Sequence, residues 1–92
     1  MIVSFRHKGL RRFFEADDRS KIPYDALERI RDLLTALDGA RTIEELSRPS
    51  FRLHPLKGAL KGQWAVTVRA NWRITFRFED GEVLDVDLVD YH

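Results

Sequence analysis

The sequence predicts an α+β fold, with N-terminal helices packed on a mainly antiparallel sheet that ends in a three-stranded meander. Two patterns carry this prediction. Before residue 40, apolar side chains recur at spacings of three and four; after residue 63 they alternate. Size adds a third constraint. A chain of 92 residues buries only ~60–65% of the surface its unfolded form exposes. That suits a single domain over residues 1–92 and leaves little room for a deep pocket with a bulky cofactor. A shallow surface site, or a groove shared with a large partner, fits better.

The elements follow in order. Ile2-Val3-Ser4-Phe5 reads as a short strand. From His7 to Glu15 a helix is expected, with Leu10, Phe13 and Phe14 on one face. Asp17-Asp18-Arg19-Ser20 breaks it, and Pro23 suits the first turn of the next helix. Leu27, Ile30, Leu33, Leu34 and Leu37 then form one apolar stripe. Asp38-Gly39 ends that helix, with Gly39 expected in the left-handed conformation. Thr42-Ile43-Glu44-Glu45 has capping-box spacing and predicts one short turn. Pro49 and Pro55 make residues 47–56 an irregular or extended link.

The alternation also predicts strand register. Trp64, Val66 and Val68 share one face, as do Trp72, Ile74, Phe76 and Phe78, and then Leu84, Val86 and Leu88. A two-residue turn at Asp80-Gly81 would set Phe76 opposite Asp85 and bring charge to the core. A three-residue loop, Glu79-Asp80-Gly81, avoids that, with Gly81 left-handed in a bulged hairpin. Phe76 is then expected opposite Leu84, Ile74 opposite Val86, and Arg73 opposite Asp87. Upstream, a loop of Arg69-Ala70-Asn71 with Asn71 left-handed sets Val66 opposite Ile74 and Thr67 opposite Arg73. Arg73 falls on the polar face of the middle strand, among Thr67, Thr75, Arg77 and Asp87.

Charge is sorted along the chain. Residues 51–78 hold Arg52, Lys57, Lys61, Arg69, Arg73 and Arg77 but no Asp or Glu, while residues 79–92 hold acids and no Lys or Arg. The net charge of +1 conceals this. A basic block that also carries His54, Trp64 and Trp72 is the one-dimensional signature of a phosphate-binding surface. With no cysteine there is no disulfide, thiolate or Cys-type zinc chemistry. His7, His54 and His92 have no metal-ligand spacing, so neither metal nor cofactor is expected. No apolar run approaches a membrane span, and the first residues are too short and polar for a signal peptide. The expected location is the cytoplasm.

RNA can be cut without a metal if three tasks are covered. A base takes the 2′-hydroxyl proton, an acid protonates the leaving 5′-oxygen, and cations stabilise charge growing on the phosphate. Imidazole suits the first two because it titrates at ~6.5, and the planar Arg fork suits the third. His54, Lys57, Arg73, Tyr91 and His92 are the candidates. Each also has a plainer reading. A lone His is commonly a surface residue, and terminal residues such as His92 are commonly disordered. Lys57 and Lys61 read equally as solvated side chains. Arg73 opposite Asp87 would be a cross-strand ion pair worth ~0.2–1 kcal/mol.

Several runs resemble the HigB toxins, a branch of the RelE superfamily. They are Phe51-Arg52-Leu53-His54-Pro55-Leu56-Lys57-Gly58, then residues 71–81 from Asn71-Trp72-Arg73 through Glu79-Asp80-Gly81, and the ending Asp90-Tyr91-His92. Phe5-Arg6-His7-Lys8-Gly9-Leu10 is similar as well, so the resemblance covers essentially the whole chain. It implies a small RelE-like domain and a toxin of a type II toxin–antitoxin pair that enters the ribosomal A site and cuts mRNA there without a metal. It implies a HigA-like helix-turn-helix antitoxin as partner, contact with mRNA and rRNA, and operator DNA bound only through the antitoxin complex. It places function on His54, Lys57, Arg73, Tyr91 and His92: Arg73 and Lys57 on the scissile phosphate, His92 in proton transfer, and His54 and Tyr91 in proton transfer or substrate orientation. Arg52, Lys61, Arg69 and Arg77 are the expected RNA-binding residues. One departure is Ala70, where related sequences often carry Gly. Two other functions remain open on the sequence: a ParE-like toxin that binds DNA gyrase, and a non-catalytic RNA- or ribosome-binding module.

Overall fold

Residues 1–6 run beside the last strand of the sheet. In a computed structural model, which describes residues 1–90, Ile2 and Phe5 form parallel bridges with Val83 and Val86. The expected short strand is thus a parallel border on an otherwise antiparallel sheet. Helix α1 (Lys8–Ala16) follows, with Leu10 and Phe13 buried. His7 caps it: its Nδ1 accepts from the Leu10 N–H at 3.0 Å. Asp17 closes it in the left-handed conformation at φ 56°, donating its N–H to Phe13 O. Phe14, expected on the buried face, is 37% exposed and lies tilted at 45° against Phe5, with ring centroids 5.7 Å apart.

Helix α2 (Leu27–Gly39) is entered through a 3-10 turn over Tyr24–Ala26 just after Pro23. All five residues of the predicted stripe are buried. At about 1.5–3 kcal/mol per buried Leu or Ile, this stripe far outweighs the surface pair Arg31–Glu28, worth about 0.3–0.5 kcal/mol. The helix does not end as expected. Ala40, at φ −73° and extended, follows Gly39 directly, and Gly39 is not left-handed. The predicted short turn forms over Ile43–Leu46, but without a capping box. Thr42 makes no side-chain cap, and the Glu45 carboxylate accepts instead from the Arg41 N–H.

The sheet contains β1 (His54–Pro55), β2 (Gln63–Arg69), β3 (Trp72–Glu79) and β4 (Glu82–Asp90), hydrogen-bonded in that order. Val66, Ile74, Phe76, Val83, Val86 and Leu88 are buried in one core with both helices. The register of β2 on β3 is as expected in the middle, with Val66 opposite Ile74 and Thr67 opposite Arg73. The turn differs. Arg69 pairs with Trp72 across a two-residue connection, the register shifts between Thr67 and Arg69, and Ala70 rather than Asn71 has positive φ, 45°.

The β3–β4 hairpin is a larger correction. Its loop is the two-residue Asp80-Gly81 turn, with φ of 51° and 78°. The conflict between Phe76 and Asp85 is removed by a bulge: Arg77 pairs with Leu84 but Thr75 with Asp87, so Asp85 and Val86 together oppose Phe76. Asp85 takes φ 55°, and its N–H is satisfied by Ser4 Oγ at 2.8 Å. The shift moves every later partner. Ile74 faces Leu88 and Arg73 faces Val89, so the expected Arg73–Asp87 and Phe76–Leu84 pairs do not form.

Candidate active site

The face of the sheet turned away from the helices gathers part of the predicted site. β1, too short to be visible in the sequence, pairs His54 with Ala65. Ala65 pairs with Thr75 and Thr75 with Asp87, making one row across four strands. The next row on the same face holds Thr67, Arg73 and Val89. Strand spacings of ~4.8 Å and rises of ~3.4 Å per residue place His54 and Arg73 roughly 12 Å apart at their Cα atoms. Between them lie two small, buried residues, Ala65 at 0% and Thr75 at 6% exposure. An imidazole and a guanidinium thus flank two buried small residues on one face of the sheet.

His54 is exposed, and its Nδ1 lies 3.1 Å from the Arg52 carbonyl. A carbonyl only accepts, so Nδ1 must carry the proton in this contact. In the neutral ring, Nε2 is then a lone-pair acceptor facing outward. Arg52 itself is in the left-handed region at φ 50°, which turns its carbonyl toward the ring that follows.

Arg73 donates to the Ala70 carbonyl at 2.7 Å and the Trp72 carbonyl at 3.1 Å. These bonds fix the guanidinium without cancelling its charge. Asp87, displaced by the bulge, accepts from the Leu88 N–H at 2.9 Å. The plainer reading of Arg73, a cross-strand ion pair with Asp87, is therefore removed.

The other cations separate into two groups. Arg69 pairs with Asp25 at 2.6 Å and reaches toward the helix layer, away from Arg73. Arg77 sits on the Arg73 face, but Asp85 and Glu79 both pair with it. The Asp85 hydrogen bond and the Glu79 charge raise its pKa above the usual Arg value. Arg52, Lys57 and Lys61 are exposed and make no ion pair with another described residue. Lys57 precedes the 3-10 turn Gly58–Leu60 in a loop closed by the Leu56 N–H to Gln63 O bond of 2.9 Å. Lys57 and Lys61 border a cleft whose walls include Leu56 and Trp64. Tyr91 and His92 lie outside the described residues. Among the described residues, no three His, Asp or Glu groups are close enough to hold a metal ion.

Two features were missed in the sequence. Arg6, Lys8, Arg12 and Lys21 surround a cleft beside Asp87. Their basic character was legible, but the parallel border that brings α1 to Asp87 was not. The second is Arg29, a polar position beside the α2 stripe whose guanidinium reaches three backbone carbonyls. No periodicity reports such a contact.

A sequence profile of RelE-like HigB toxins of type II toxin–antitoxin systems matches residues 3–92. The chain belongs to the HigB-like toxin family. It is 50% identical to the endoribonuclease HigB of Proteus vulgaris over the full length of both chains. It is 31% identical to toxin HigB-1 of Vibrio cholerae, covering 96% of this chain and 95% of the other. Among solved structures, YafQ from E. coli superposes with a TM-score of 0.67 at 17% identity, covering 98% of this chain and 91% of YafQ. A YoeB–YefM toxin–antitoxin complex from Staphylococcus aureus gives 0.62 at 17% identity, covering 100% and 95%. These structural likenesses are of fold, and they agree with the α+β arrangement of this HigB-like chain. A type II toxin has an antitoxin as its partner.

Proposed function

We propose that this HigB-like toxin is an endoribonuclease that cuts mRNA in the ribosomal A site by metal-independent acid–base chemistry. The observation that carries the proposal is Arg73, held by two backbone carbonyls and neutralised by no described carboxylate, on the same sheet face as His54. In this reading His54 Nε2 takes the proton of a 2′-hydroxyl, and that oxygen attacks the adjacent phosphorus. Arg73 and Lys57 stabilise the charge that builds on the phosphoryl oxygens. His92 returns a proton to the departing 5′-oxygen, with Tyr91 orienting the reacting nucleotide. The bond formed is 2′-O–P and the bond broken is P–5′-O, leaving a 2′,3′-cyclic phosphate and a 5′-hydroxyl. Arg52 and Lys61 hold flanking phosphates. The 50% identity to a protein named an endoribonuclease supports the reaction class. The partner is a HigA-like antitoxin with a helix-turn-helix domain, through which alone the complex binds operator DNA, and the toxin acts in the cytoplasm on mRNA in the ribosomal A site, in contact with rRNA.

The test is cleavage of a defined message on programmed ribosomes, with chelator in excess over free divalent ions and ribosomal magnesium retained. Cleavage should persist and leave 5′-hydroxyl ends. A requirement for an added divalent ion would remove the mechanism. Absence of cleavage together with inhibition in a parallel gyrase supercoiling assay would replace it with the gyrase reading.

A further inference from the structure

Arg29 lies on the opposite side of the sheet from the candidate site, half-buried on α2. Its Nε donates to Val68 O at 3.2 Å, and its Nη2 donates to Thr67 O at 2.8 Å and Ser50 O at 2.5 Å. Its Cζ also sits 5.5 Å from the centroid of the buried Phe51 ring, on which Arg48 rests as well at 5.0 Å. One planar group therefore joins three separate segments: the helix, the bulged end of β2, and the link that leads to β1. A guanidinium suits this because its five N–H groups diverge in a fixed plane, whereas an ammonium is a point donor.

Both candidate catalytic groups lie one step beyond these contacts. Thr67, whose carbonyl Arg29 holds, is the cross-strand partner of Arg73. Ser50 and Phe51 belong to the 3-10 turn Pro49–Phe51, closed by the Phe51 N–H to Arg48 O and Arg52 N–H to Pro49 O bonds. That turn sets Arg52, whose carbonyl fixes the His54 ring. β1 is only two residues long, so its pairing with β2 alone gives His54 weak anchorage.

We propose that Arg29 is a positioning residue that sets His54 against Arg73 by tying the link before β1 to the end of β2. The inference rests on the reading of His54 as a proton-transfer group. Arg29 touches no substrate in this account; it acts through Arg52 and His54. A shift on the order of 1 Å in a catalytic group can cost ~100-fold in rate, so loss of the tie affects turnover more than binding.

The test uses Arg29→Lys, which keeps the charge but cannot span three carbonyls. Three measurements are made on the full chain: melting temperature, amide exchange across residues 50–56, and single-turnover cleavage of ribosome-bound message. Cleavage is measured in the wild-type and His54→Ala backgrounds. Exchange of the Phe51 and Arg52 amides should quicken. The saturating cleavage rate should fall by ~10- to 100-fold, with the half-saturating ribosome concentration little changed. In the His54→Ala background the same substitution should cost less than about 2-fold, because the group it positions is gone. Arg48→Ala should leave cleavage unchanged. An equal loss in both backgrounds, undiminished cleavage, or unaltered exchange would each overturn the proposal. If His54→Ala itself cleaves like wild type, the reading beneath the proposal has failed instead. Should Arg29→Lys not fold, Arg29→Gln carries the same comparison, since its amide offers two N–H donors against the five of the guanidinium.

Discussion

His7 and His54 are the same side chain in opposite hydrogen-bonding states. His7 Nδ1 accepts from a helix N–H, while His54 Nδ1 donates to a carbonyl. The first is committed to capping α1; the second leaves Nε2 free for chemistry. Spacing along the chain does not separate these roles, because each depends on which backbone group lies nearby. Arg73 is a similar case. Its place on the polar face was legible from the alternation of β3, but its freedom from Asp87 depends on a bulge. Arg73→Ala should lower single-turnover cleavage by at least ~100-fold, the scale of losing one transition-state charge stabiliser, and change ribosome affinity far less. If the variant instead melts early and retains per-molecule activity, Arg73 is structural. Ala70 gives a prediction about stability alone. At φ 45° its Cβ is strained, and glycine would relieve that strain. Ala70→Gly should stabilise the protein by about 0.5–1 kcal/mol, read as a rise of roughly 2–8 °C in melting temperature.

Elements were legible where a period ran long enough to average out exceptions. The α2 stripe and the centre of the β2–β3 pair meet that condition. β1 has two residues and no period, and the β3–β4 register turns on single backbone angles at Asp80 and Asp85. Non-glycine residues at positive φ leave little mark in a sequence, so a longer loop was the simpler expectation. The join between α1 and α2 shows the same limit. Asp17 was legible as a breaker, but not as the acid that bonds Arg19 at 3.2 Å and Arg31 of α2 at 3.0 Å. The Arg19 hydrogen bond does most to lower the Asp17 pKa; desolvation opposes it, and the Arg19 charge, the Arg31 hydrogen bond and the Arg31 charge add to the lowering. A carboxylate with a depressed folded pKa adds stability above the unfolded value of ~3.9, and loses it as pH falls through the folded value. Asp17→Asn keeps a residue tolerant of the left-handed cap and removes the charge. The variant should melt slightly below wild type at pH 7, and the two melting curves should converge as pH falls through the depressed folded pKa of Asp17. A gap that stays constant with pH would assign the difference to something other than ionisation.

At the scale of the molecule, folding divides a basic block that is uniform in sequence. Arg69 and Arg77 are taken up by Asp25, Asp85 and Glu79, while Arg52, Lys57 and Lys61 keep their charge unpaired among the described residues. The carboxylates responsible lie outside residues 51–78, so the block alone could not reveal which cations remain free. Phosphate contacts release counterions, and binding weakens with salt by a slope of about 0.7–0.9 per contact. Replacing Arg52 and Lys61 together by Ala should therefore flatten the logarithmic salt dependence of ribosome binding by roughly 1.4–1.8. Arg69→Ala should leave the slope close to wild type. The opposite ranking would mean that RNA approaches from the helix side.

The parallel border between residues 1–6 and Val83–Val86 has a consequence for the order of assembly. Val3 and Arg6 donate to Val83 O and Val86 O, and Met1 O and Ser4 O receive the returning N–H groups. The Ser4 hydroxyl also satisfies the bulge that releases Arg73 from Asp87. A translating ribosome makes the two sides of this seam some eighty residues apart, and no local contact can stand in for it. Closing so long a loop is entropically costly and comes late in folding. A nascent chain that lacks β4 thus lacks both the seam and the strand that completes the core. The toxin therefore cannot reach its finished geometry until β4 has been synthesised.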